Sequence, residues 1–210
     1  MTMLAYHNDP KIKKKYLARV CAHAKADEIV KGRYWEEGKG CAVGCTIHSG
    51  DHAAYQTELG IPEWLAQLED TLFEGLPNGH AKAFPSKFLS AIKVGSNLEP
   101  VRWKFALVLL QENAERVRGL KIDQVLKDQV LKAISQVEAV NRQAIETGSM
   151  DESAARSAES AARSARSAAW SAASAARSAR SAAWSAASAA AGSAAYIRYA
   201  DELLKLLRTA

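Results

Sequence analysis

Two cysteines and two histidines fall within twelve residues, Cys41, Cys45, His48 and His52, as C-x3-C-x2-H-x3-H. Cysteine and histidine are the commonest ligands of zinc, since thiolate and imidazole suit that ion. If residues 41–52 formed one helix, the steps of four, three and four would put all four side chains on one face. A single metal would still be out of reach, because Cys41 and His52 would lie about 16 Å apart along the axis. One tetrahedral site therefore needs a chain reversal, which Ser49-Gly50-Asp51 can provide. Otherwise two neighbours bind with help from elsewhere. That help is present in the first helix, where His23 and Asp27 stand four apart and Asp27 falls on the apolar stripe of Ile12, Tyr16, Val20 and Ala24. A carboxylate on a buried face must be paired or liganded.

The same residues permit a second chemistry. Gly38-Lys39-Gly40 before Cys41 reads as a flexible, basic loop entering a helix, a setting that lowers a thiol pKa. Cys41 as nucleophile, His48 or His23 as base and Asp27 as the orienting carboxylate would serve acyl transfer in a small hydrolase or transferase. The C-x3-C spacing is not the C-x-x-C of thiol redox proteins. A plain structural role for each thiol, as a small buried hydrophobe, stands beside both.

The elements that must position these residues read as helices separated by Gly and Pro, and the expected class is all-α. Asn8-Asp9-Pro10 is a cap with proline at the first helical position, opening a helix that can run to Gly32. A second starts at Ile61-Pro62-Glu63 and stops at Gly75 and Pro77. Pro85 opens a short one containing Phe88, Leu89 and Ile92. Val101 to Leu120 and Ile122 to about Gly148 carry apolar residues at helical spacing. No period-2 strand is evident.

Composition changes near Gly148, which divides the chain into a helical domain over 1–148 and a Ser/Ala-rich tail over 149–210. From Ser153 to Ala195, 34 of 43 residues are Ser or Ala, a bias that suggests a linker. The pattern argues otherwise. Ser149-Met150-Asp151-Glu152 has the capping-box form, and eleven serines from Ser153 to Ser188 step by alternating four and three, a heptad. One stripe of such a helix is all alanine, which lets another backbone approach closely. Another carries Arg163, Arg166, Trp170, Arg177, Arg180 and Trp184, a face for a partner or an anion. Arg grips phosphate and Trp stacks on bases, so nucleic acid is a second candidate partner after self-association or a partner helix. Gly192 breaks the serine phase and predicts a bend. After it Tyr196, Leu203, Leu204 and Leu207 offer an apolar face able to dock on a core.

A net charge of +5 permits an anionic partner without requiring one. No apolar run reaches the roughly 18 residues of a membrane span and Met1 to His7 lacks a secretory h-region, so a cytoplasmic protein with no membrane partner is expected. Three cysteines are too few for a disulfide framework.

The block from Tyr6-His7-Asn8-Asp9-Pro10 through Gly38–Thr46, Glu58-Leu59-Gly60-Ile61-Pro62 and Phe73–Asn78 resembles a group of bacterial and phage-encoded proteins that often carry an alanine-rich tail. The resemblance covers about the first half of the chain and implies no activity, fold or cofactor. The residues themselves support a helical binding or assembly protein with a structural metal, or the cysteine-nucleophile enzyme.

Overall fold

The computed structural model describes residues 2–153, 156–157, 160 and 183–210, with side chains of the last stretch from residue 191 onward. The fold is all-α with one small hairpin. Its helices are α1 (Pro10–Lys25), α2 (Ala42–Ile47), α3 (Ala54–Leu59), α4 (Glu63–Gly75), α5 (Asn78–Ala91), α6 (Glu99–Gly119), α7 (Gln124–Thr147) and α8 (Ala183–Thr209). Strands β1 (Trp35–Glu36) and β2 (Lys39–Gly40) pair antiparallel, Trp35 opposite Gly40. Among the described residues no helix is long and apolar enough to cross a membrane.

Two compact units divide the chain: Met1–Val101 with Ala189–Ala210, and Arg102–Ser188. The divisions fall inside α6 and α8 rather than at the composition break near Gly148. A change in side-chain size marks where large apolar residues stop, and compactness depends on where they resume. They resume at the C-terminus, where Leu203, Leu204 and Leu207 are buried and the Tyr196 ring lies against Gly75 so closely that a Cβ there would sit 2.2 Å from it. This is the expected docking face. Gly192 does not interrupt the helix: α8 runs through it, because one glycine lowers helix propensity by only about 1 kcal/mol.

In the first unit, α1 packs on α2 and α5, and α4 on α2 and α5. Tyr16 and Val20 of α1, Leu65 and Phe73 of α4, and Phe84, Phe88 and Leu89 of α5 are buried between them. The Asp9 side chain caps α1 by accepting from the Lys11 amide at 2.8 Å, as the Asp-Pro pair predicts. α1 stops at Lys25 rather than Gly32. The Glu28 amide bonds to the His23 carbonyl at 3.0 Å around Asp27, which takes the left-handed conformation (φ 58°) usual for a residue just past a helix end. α5 begins at Asn78, not at Pro85, because the Pro77 carbonyl accepts the His80 and Ala81 amides and starts the first turn. Pro85 is accommodated inside the helix, buried.

In the second unit, the Asp123 side chain caps α7 by accepting from the Leu126 amide, and Gly148 ends it at φ 73°. Ala114, Val130, Ala133 and Ala144 are buried there, as is Asn141, whose amide donates to the Val137 carbonyl. Of the tail's basic and aromatic face, Arg163, Arg166, Trp170, Arg177 and Arg180 lie outside the described residues, and Trp184 is described only as a backbone position of α8.

Candidate functional site

Residues 41–52 do not form the single helix that would align the cysteines and histidines; α2 covers only Ala42–Ile47. Glu37 and Gly38 both have positive φ (50° and 81°), the signature of a two-residue type I′ hairpin turn. What reads as a flexible basic loop is therefore a tight hairpin. It delivers the chain to Cys41, whose sulfur caps α2 by accepting from the Gly44 amide at 3.5 Å. The hairpin and α2 are held together by one close approach. The Tyr34 carbonyl lies over Gly40 and Gly44, where added Cβ atoms would sit 2.1 and 1.5 Å from it.

α2 ends at Ile47, and His48 caps it in the left-handed conformation (φ 57°). That turn points the imidazole toward α1, where His23 occupies the last helical turn. The two Nε2 atoms share a hydrogen bond at 2.9 Å. The Nδ1 of His23 is 2.5 Å from the Glu28 carboxylate, brought back to it by the reversal at Asp27. Trp35 stacks on the His48 ring, centroids 4.2 Å apart and planes 13° apart, and meets the edge of His23. The Arg19 guanidinium donates to the Thr46 carbonyl at 2.8 Å beside them. Burial, then the Arg19 charge, hold the His48 pKa below its ordinary value.

The remaining members of the motif go elsewhere. The Ser49-Gly50-Asp51 segment does reverse the chain, but it carries His52 to Asp70, 3.6 Å away, and against the Tyr34 ring. Cys45 donates to the Gly40 carbonyl at 3.3 Å. Cys41 lies beside Asp70 on the wall of a cavity of about 280 Å³ lined by Gly32, Arg33, Tyr34, Cys41, Asp70 and Glu74. Of the expected metal ligands, then, His23 and His48 converge, while Cys41, Cys45 and His52 each have other neighbours. Among the described residues no group of three or more His, Cys, Asp or Glu side chains is arranged around one metal position.

The nucleophile reading loses its orienting carboxylate. Asp27 does not lie on the buried stripe of α1, because the helix has already ended; it is exposed and paired with Lys82. Cys41 is 1% exposed, and burial pushes its thiol up to about 12, with Cys45 raised to about 11 for the same reason. An activated thiol needs the opposite shift. At pH 8 the folded protein should hold on the order of a thousandfold less Cys41 thiolate than a free cysteine. Iodoacetamide followed by mass spectrometry is accordingly expected to label half-buried Cys21 first, with Cys41 and Cys45 reacting only at the rate of opening. Early labelling of Cys41 would restore the nucleophile.

Glu28, Trp35, Arg19 and Asp70 are site residues that the motif spacing does not single out. Glu28 sits five residues after His23, a separation that no helix brings together and that only the left-handed reversal closes. Comparison with protein-family models, curated proteins and solved structures returned no match.

Proposed function

We propose that this chain is a helical binding protein whose functional centre is the His23–His48 pair, and that the pair takes a divalent cation of the zinc type. The observation that carries this reading is the 2.9 Å separation of two imidazole Nε2 atoms that face each other. Two Zn–N bonds of about 2.0–2.1 Å at a tetrahedral angle place their nitrogens roughly 3.3 Å apart, so a small rotation of either ring admits the ion. Glu28 on Nδ1 of His23 is the carboxylate partner that metal-bound histidines carry, fixing the tautomer whose Nε2 lone pair, turned to His48 in the hydrogen bond between the rings, would bind the ion in its place. Reduced Cys21, Cys41 and Cys45 fit a reducing compartment such as the cytoplasm.

Assembly through the Ser/Ala tail is supported by a separate observation, the serine heptad held from Ser153 to Ser188.

Zinc titration of chelator-treated protein, read against a coloured competitor, tests the metal. Tight binding by the wild type is expected, with loss in His23→Gln and His48→Asn, and a 10- to 100-fold weakening, roughly, in Glu28→Gln. His48→Asn keeps the left-handed cap, since Asn adopts that conformation readily. Wild-type binding no tighter than that of the His23→Gln/His48→Asn double variant would end the reading.

A further inference from the structure

We propose that the His23–His48 pair is one half of a zinc site completed by a second copy of this chain, four imidazole nitrogens from two copies holding one ion. The inference rests on the metal reading above and names the partner of that same site. Zinc in a structural site is almost always four-coordinate and tetrahedral. One chain supplies two nitrogens, and among the described residues no third His, Cys, Asp or Glu completes the set. The residues outside the description contain no histidine or cysteine.

The position of the pair suits a shared site. His48 is exposed at the end of α2, and His23, whose side chain is 13% exposed, lies behind it. Trp35 covers a face of the His48 ring and leaves its edge, where Nε2 lies, toward His23. The two imidazole planes stand at 80°; a two-fold axis through the ion would supply the second pair by the same contacts reversed, the usual self-complementary interface of a symmetric dimer. Charges around the pair are of both signs: Arg19 and Glu58 flank His48, and Glu28 binds His23. Two copies therefore meet without a uniform repulsive field.

The experiment uses the full-length protein, with zinc stoichiometry from titration and mass from sedimentation equilibrium, each in chelator and in zinc. The expected result is saturation at one zinc per two chains together with a doubling of the mass found in chelator. That baseline absorbs any association through the tail. His48→Asn and His23→Gln, each required to show a single cooperative melt in chelator, should lose the zinc-dependent doubling. Saturation at one zinc per chain with no change of mass overturns the shared site and leaves the metal reading standing, with water or an external ligand filling the shell. A zinc-dependent doubling retained by His48→Asn also overturns it, placing the ion elsewhere. No zinc binding at all overturns both.

Discussion

Glu69→Gln is expected to abolish a loss of stability on the order of 4 kcal/mol that the wild-type protein suffers between pH 5 and pH 8. Glu69 is wholly buried in α4; one carboxyl oxygen accepts from the Tyr55 hydroxyl at 2.8 Å and the other, Oε1, is buried with no hydrogen-bond partner. Burial pushes its pKa up to about 8, against an ordinary value of 4.5 that applies once the chain unfolds. Between those values the folded state holds a proton that the unfolded state has released. Stability therefore falls as pH rises from about 4.5, and levels off above about 8, where both states are ionised. Glutamine has the same shape and no charge, so its profile should lack this fall and keep only the rise that His48, with its lowered pKa, contributes at about pH 6. Urea unfolding at half-unit pH steps measures the slope directly. Parallel profiles for wild type and Glu69→Gln would show that the carboxylate is stabilised by something other than its proton. Since small domains are stable by only about 5–15 kcal/mol, this one side chain is expected to dominate the protein's behaviour above neutrality.

Gly44→Ala is expected to destabilise the protein by about 3 kcal/mol or more, although glycine inside a helix ordinarily costs about 0.5–1 kcal/mol relative to alanine. The reversal comes from the Tyr34 carbonyl, which would lie 1.5 Å from the new Cβ. Neither partner can yield easily, because both are backbone and Gly44 also donates its amide to Cys41. To relieve the clash the Tyr34–Trp35 segment must move off α2, and Trp35 would then leave the His48 ring. Loss of stability should be accompanied by a change in tryptophan near-UV circular dichroism. Gly192→Ala is the control: nothing lies within 4 Å of the added methyl and the position is inside α8, so it should be neutral or slightly stabilising. Equal melting temperatures for Gly44→Ala and Gly192→Ala would show that α2 and the hairpin do not depend on this contact.

The proposed zinc binding and Glu69 ionisation are separable, since Glu69 is not among the groups that act on His48 or pair with His23.

Local chemistry in the sequence was enough to determine the helical class, the Asp9 cap and Pro10 start of α1, the start of α4 at Glu63, the end of α7 at Gly148 and the docking face from Tyr196 to Leu207. Each of these depends on residues within one or two turns of each other, where capping and 3.6-residue periodicity operate. The buried carboxylate was legible in principle, because Glu69 stands four residues after Leu65 and three before Leu72 on one face of α4. The tight Glu37-Gly38 turn, the early stop of α1 at Lys25 and the left-handed His48 were decided by the tertiary structure. A positive φ at a residue other than glycine is locally unfavourable and persists only where surrounding contacts hold it. Those two left-handed residues, Asp27 and His48, are what bring Glu28, His23 and His48 together and send His52 to Asp70 instead. Spacing along the chain could therefore name His23 and His48 as candidate ligands, but only the folded backbone could pair them.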